Sequence, residues 1–437
     1  MSVSRYKIVW ATLLVIAVLG AIQTGAAETP AHQKNIDIGV NKVMPEVIAW
    51  RRDIHAHPEL GNRETRTAAL VAEHLRTLGF DEVRTGIAHT GVVGVLRGGL
   101  PGKVVALRAD MDALPVTERT ELPFSSKVRT TFNGQDVGVM HACGHDVHTS
   151  VLMGTASVLA GMRDQIPGTV VFIFQPAEEG PPAGESGGAA QMIKEGVLDS
   201  PKADAIFGLH TWPIEHGYIG YRSGGTMAGA DGLNITITGR QTHGAVPWGG
   251  VDPIVVASQV IMGLQTIISR QMDSTAGASI VTIGSIHGGV RGNIIPDTVE
   301  MEGTIRVLDP TQRDDLLERI TRTVRLIAES AGATADVRIT GYAPVTYNDP
   351  ELTRRMAPTL ARIAPKAAIE IPAMTPSEDF SFFQEKIPGV YFFLGVASPD
   401  DKNPASNHSP YFFVDEAALP IGVRVMSSMA MDYLTGD

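Results

Sequence analysis

The chain has a single cysteine, Cys143, among its 437 residues. No internal disulfide can form, so a small disulfide-stapled fold is excluded. It has no basic run, and its formal net charge is -11. That argues against a nucleic-acid-binding surface and says little about partners beyond solubility. There is no low-complexity stretch, and the 46 glycines follow no repeat period, so nothing fibrous is suggested. The N-terminal apolar stretch, Ile8 to Leu19, falls short of the ~20 residues that span a bilayer. What is present is a 43% hydrophobic chain, long enough to bury a sizeable core in more than one domain.

The N-terminus reads as a secretory signal. Arg5 and Lys7 form a positive start, the apolar stretch follows, and Gly25-Ala26-Ala27 offers small residues for cleavage before Glu28. No cysteine follows the stretch, which excludes lipoprotein attachment. The expectation is a signal peptide over 1–27 and an exported, periplasmic mature chain with no stable membrane anchor.

Hydrophobic spacing then predicts helices over Pro45–His57 and Glu64–Leu78, strands over Gly91–Leu96 and Val104–Arg108, and a helix over Asp146–Met162. A strand over Val170–Phe174, a helix over Ala189–Val197 and a strand over Ala205–Leu209 continue the alternation, which implies an α/β sheet covered on both faces. The pattern changes near residue 223. Leu233–Thr238 alternates apolar with polar, and a β-α-β-β-α-β order runs to Ile339, the split ferredoxin-like unit. Helix Glu351–Ile363, strand Val390–Leu394 and helix Asp415–Leu434 resume the first pattern. The reading is a discontinuous α/β catalytic domain with a mostly parallel sheet, formed by 28–222 and 341–437. An inserted ferredoxin-like domain occupies 223–340.

Open α/β sheets place their sites at the carboxyl ends of strands. Asp110-Met111-Asp112, Glu178-Glu179, His210 and Asn407-His408 all follow predicted strands of the larger domain, and Cys143 and His145 stand at a helix start, where the dipole favours a thiolate. Each cluster alone is weak, since Glu-Glu pairs usually face solvent and a lone histidine is usually a satisfied polar residue. Together they supply imidazole, thiolate and carboxylate at one rim, the donor set of a borderline-soft metal. Adjacent glutamates can divide labour, one ligating and one acting as general base toward a metal-activated water. Gly184-Glu185-Ser186-Gly187-Gly188 matches a serine-hydrolase elbow. Its loop-like lead-in, from Gly180, argues for a flexible loop instead. His148, three residues beyond His145, reads as packing or support for a ligand rather than as a ligand.

These residues carry a family resemblance. Trp50 to Leu60, Leu107 to Pro115, Met140 to Asp146, Phe174 to Gly180, Gly208 to His210, Gly239 to Pro247, Gly292 to Asp297, Ser377 to Phe380 and Asn407 to Pro410 resemble, in order, the motifs of the hippurate hydrolase and auxin-conjugate hydrolase branch of the aminoacylase-type metallopeptidases. The resemblance implies a two-domain fold whose inserted lid is used for homodimerisation. It places one or two divalent ions (zinc, manganese, cobalt or nickel) on Cys143, His145, Glu179, His210 and His408. It makes Glu178 the general base and Asp112 the carboxylate that orients a ligand. Asp110 departs from a histidine found near that place in related branches. His243 on the lid would reach a site, in many members the partner's, to stabilise an oxyanion, and Asn293 would hold the substrate carboxylate. The loop Gly180 to Gly188 looks long for the family and is expected to reshape the pocket mouth. The implied activity is hydrolysis of N-acyl amino acids or similar amides. The alternatives are a carboxypeptidase or dipeptidase with the same chemistry and, less in keeping with a full ligand set, an exported binding protein.

Overall fold

A computed structural model describes residues 29–436. The signal peptide read at 1–27 lies outside the described residues. Four apolar strands, Pro167–Gln175, Leu100–Asp110, Ala205–Glu215 and Gly389–Ala397, lie side by side in parallel. Gly91–Arg97 and Glu82–Ile87 extend the sheet antiparallel at one edge, and Tyr218–Tyr221 with Ala367–Glu370 extend it at the other. Successive residues of the central strands face opposite cores. Val105, Leu107 and Ala109 join one, while Val104 and Ala106 join the other. Burial on both faces is why Val170–Phe174 is an unbroken apolar run.

Helices Gln33–Ala56, Thr65–Thr77, His145–Ala160, Pro350–Ile363 and Leu419–Thr435 cover the first face. The short helices Gly188–Lys194 and Ser381–Gln384 cover the second. The first helix begins twelve residues before Pro45 (33 against 45) and runs through it. Ile36, Val40, Val43 and Val47 are all buried at helical spacing. Four buried side chains at ~1.5–3 kcal/mol each outweigh the ~3 kcal/mol of an internal proline.

The inserted unit has its own four-stranded antiparallel sheet, in the order Ser279–Gly288, Thr298–Val307, Gly229–Thr238, Thr334–Ala343. Helices Pro253–Arg270 and Arg313–Ser330 pack on it. Leu233, Ile235 and Ile237 meet Val260, Leu264 and Ile320 in a core separate from that of the large sheet. Asp252 caps the first helix by accepting from the N–H groups of Ile254 and Val255, with Pro253 at its first position. Asp309-Pro310 opens a single 3-10 turn, Pro310–Gln312, and the α-helix starts at Arg313.

The C-terminal helix closes the larger unit through one buried carboxylate. Asp432 accepts from His32 Nε2 at 2.7 Å and from the Thr359 hydroxyl at 2.6 Å, and pairs with Arg362. Burial pushes this carboxyl up, but the three donors outweigh it and hold it below its ordinary range. A depressed native pKa contributes stability above the unfolded value, near ~4, that is lost as pH falls through the folded value. Asp432→Asn is therefore expected to cost about 1–3 kcal/mol near neutral pH. Urea midpoints should show that cost shrinking on acidification below about pH 4. An equal cost at both pH values would contradict this role.

Candidate metal centre

Five stretches of chain meet at the carboxyl rim of the large sheet. Asp112 lies just past Leu100–Asp110, and Glu178-Glu179 just past Pro167–Gln175. His210 lies within Ala205–Glu215, a strand longer than its sequence suggests, and His408 lies in the loop after Gly389–Ala397. Cys143 precedes the helix that begins at His145, separated by Gly144 at φ +90°. A Cβ at Gly144 would stand 2.2 Å from Thr211 Oγ1, so the close approach of helix start and strand requires glycine. Asn407 donates to the carbonyls of Cys143 and Thr211, and the His408 N–H to that of Ala142, which ties the last loop to the cysteine.

The ligand atoms of Cys143, His145 and His210 lie within 4.8 Å of one another, as do those of Cys143, Glu179 and His408, and of His145, Glu178 and Glu179. All five residues read as ligands are thus gathered, and Cys143 belongs to two of the groups. Cys143 Sγ stands 3.5 Å from His210 Nε2, and His408 Nε2 stands 2.9 Å from Glu179 Oε1. The histidines present the correct nitrogen. His145 Nδ1 lies 2.8 Å from the Asp112 carbonyl and 3.2 Å from its carboxylate, and His210 Nδ1 lies 2.7 Å from the Thr211 carbonyl. Carbonyls only accept, so both Nδ1 atoms carry hydrogen and both Nε2 atoms are turned toward the cluster. His145 Nε2 is buried with no hydrogen-bond partner, which fits a metal ligand.

Charge makes the same point. Burial opposes protonation of His145, yet Asp110, Asp112 and Cys143 outweigh it and hold the imidazole charged well above its usual range. Cys143 and Glu179 lift His408 to about 10. Burial, and then Glu179, push the Cys143 thiol up, against the thiolate expected at a helix start. The cluster favours positive charge, which a divalent cation held by Cys143, His145, Glu179, His210 and His408 would supply, with deprotonated sulfur and imidazole as its donors. Burial, with Glu378, Glu179 and Asp379 adding repulsion, raises Glu178 well above the ordinary carboxylate range.

Asp112 joins two ligand-bearing segments: Oδ1 faces His145 Nδ1, and Oδ2 accepts the Glu179 N–H at 2.9 Å. Asp110 does different work. It accepts from Arg108 at 2.6 Å and from His148 Nδ1 at 2.5 Å. His148 Nε2 in turn accepts the Thr211 N–H at 2.8 Å, so both its nitrogens are engaged behind the cluster. Arg108, fully buried, also reaches Glu378 at 2.9 Å and Asp379 at 3.1 Å. This polar floor beneath Glu178 was missed from sequence, although Ser377-Glu378-Asp379-Phe380 stood out as a motif.

A cleft of about 440 Å³ opens on Cys143, Glu178, Glu179, His210 and His408, walled by Trp212, Pro213, Met227 and Pro376. Arg306, from the inserted sheet, also lines it and pairs with no carboxylate among the described residues. It too was missed, because it reads as an ordinary polar residue of an alternating strand. His243 and Asn293 do not line the cleft and are exposed on the inserted unit. Residues 180–188 do not line the cleft either. Their Glu185 is held by Asn62 and Arg63, which draws the loop onto the segment before the second helix. Ser186 lies within that loop rather than at the end of a strand, so no nucleophile elbow forms.

Residues 106–432 match the model of the peptidase family M20/M25/M40. The chain is 41% identical to thermostable carboxypeptidase 1 of Saccharolobus solfataricus, over 90% of this chain and 97% of that one. It is 36% identical to an N-acetylcysteine deacetylase of Bacillus subtilis, over 88% and 96%. A dinuclear metal-binding peptidase of the M20 family from Bacillus subtilis superposes with a TM-score of 0.76 at 35% identity, covering 90% of this chain and 99% of that structure. A metal-dependent hydrolase is what the fold, the ligand cluster and these likenesses describe together, and the chain belongs to the M20/M25/M40 peptidase family.

Proposed function

We propose that the protein hydrolyses the amide bond of N-acyl amino acids of the hippurate type, with Cys143, His145, Glu179, His210 and His408 holding one or two divalent ions. The observation that carries this reading is the buried Glu178 carboxyl grouped with His145 and Glu179, which in turn are grouped with the Cys143 sulfur, all opening on one cleft. When bound, the ions supply Lewis acidity toward the scissile carbonyl and lower the pKa of the attacking water. Glu178 takes the water's proton and returns it to the leaving nitrogen. Its raised proton affinity suits both transfers. Arg306 offers a charge for a substrate carboxylate, and Trp212 and Met227 offer an apolar wall for an acyl group. The same features serve a carboxypeptidase, and a relative so named is 41% identical.

His243 and Asn293 are exposed and do not line their own cleft, which supports a lid that serves a second copy. Val255, Met262 and Ile286 are exposed on the inserted unit, on the outer side of Pro253–Arg270 and along the edge strand Ser279–Gly288. A homodimer through this surface would cover them. The N-terminal charge and apolar pattern supports export to the periplasm.

Glu178→Gln is expected to keep its metal and to lower kcat by about 10²–10⁴-fold; near-wild-type turnover would sink the base assignment. Zinc added to the metal-free protein should release protons into weak buffer, and Cys143→Ala should lower both metal stoichiometry and that release. Unchanged stoichiometry in the variant would remove Cys143 from the ligand set. Turnover of benzoylglycine against a dipeptide panel, with several metals after chelation, separates the two substrate classes.

A further inference from the structure

Glu64 is completely buried just before the helix Thr65–Thr77 and forms no ion pair among the described residues. Burying a carboxyl in this way is costly. Its two oxygens have specific work. Oε2 accepts the Thr90 hydroxyl at 2.5 Å, and Oε1 accepts the backbone N–H of Ala177 at 2.9 Å.

Ala177 is the residue before the base and the ligand. It stands at φ +51°, in the left-handed region that costs a residue with a Cβ roughly 1–2 kcal/mol. That conformation turns the chain off the strand ending at Gln175 and into the turn closed by the Gly180 N–H on the Ala177 carbonyl at 3.3 Å. The turn is boxed in. A Cβ at Gly61 would come within 3.1 Å of the Ala177 methyl, and one at Gly187 within 3.2 Å. Packing thus confines the turn from two sides, while Glu64 supplies the hydrogen bond that selects its backbone conformation. Burial, reinforced by the charge of Asp112, lifts the Glu64 carboxyl to about 7, in keeping with an oxygen placed for one backbone contact and given no counter-charge.

We propose that Glu64 is the positioning residue of the catalytic turn: its Oε1 holds Ala177 in the left-handed conformation from which Glu178 reaches the cleft and Glu179 reaches Cys143 and His408. This rests on the reading of Glu178 as base and Glu179 as ligand.

The test is Glu64→Ala alone and with Ala177→Gly, since glycine adopts φ +51° without strain. Melting temperature reports folding, competition against a chromophoric chelator reports zinc affinity, and benzoylglycine reports kcat and KM. Glu64→Ala is expected to fold, to lose about 10–100-fold in zinc affinity and a similar factor in kcat, and to hold KM within about twofold, as for a loss confined to the transition state. Ala177→Gly in that background should recover much of both losses, and Glu64→Gln, whose amide oxygen can still accept, should stay near wild type. Wild-type zinc affinity in Glu64→Ala, or no recovery from the glycine, overturns the proposal. If Glu64→Ala does not fold, Glu64→Asp, too short to reach the Ala177 N–H, takes its place. Glu178→Gln measured in parallel separates the two readings: its continued turnover would sink the base, while the zinc measurements still decide for or against Glu64.

Discussion

A surplus of negative charge buried at the rim of one sheet governs this molecule. Asp110, Asp112, Glu178, Glu378, Asp379 and Glu64 are all buried there, and Glu179 is half-buried beside them. Arg108 offsets part of that charge through three carboxylates. The remainder raises the proton affinity of the groups around it. Burial raises Glu178 well above its usual range and Asp379 to about 7, while the imidazoles of His145 and His408 are held charged. A divalent cation is the natural answer to such a field. The chemistry then follows from the same excess, because the carboxylates that call for a cation also make Glu178 a stronger proton acceptor.

The fold makes that concentration of charge affordable by distributing it over four chain segments with rigid anchors. Two strands end where charges begin: Asp110 closes Leu100–Asp110 with Asp112 two residues on, and Glu178 stands three residues past Pro167–Gln175. The inserted unit contributes differently. Its core is its own, and what it brings to the cleft is Arg306 from the strand Thr298–Val307. The cleft therefore has an anionic floor from one unit and a cationic wall from the other. The proposed substrate, an amide carrying a carboxylate, would match that polarity.

Sequence pattern revealed the rim because strand ends are local signals: an apolar run, then a titratable residue. It revealed the inserted unit because Leu233, Ile235 and Ile237 alternate with polar neighbours over a half-buried sheet. It could not reveal the floor. Arg108 meets Glu378 across 270 residues, and nothing local distinguishes a buried arginine in a strand from a surface one. Arg306 was hidden for the same reason, since its meaning depends on how two units sit together. Tyr218–Tyr221 and Ala367–Glu370 escaped because four-residue strands are too short to show a period. Pro45 misplaced the first helix because a local breaker was read without the buried stripe that overrides it.

Preorganisation is the last element. The tautomers of His145 and His210 are fixed by backbone carbonyls, so those rings need no reorientation to present Nε2. The Glu179 N–H is tied to Asp112 and the Ala177 N–H to Glu64, so the turn between them is set from both ends. His408, itself at φ +67°, is held by its N–H on Ala142. Two left-handed non-glycine residues, Ala177 and His408, thus flank the cluster, and each is secured by a backbone hydrogen bond. Strain of that kind persists only where surrounding contacts over-determine the backbone. Here those contacts fix the directions from which Glu178, Glu179 and His408 approach. The ordering cost of the site falls on folding, which leaves more of the interaction with a metal or substrate available for binding and catalysis.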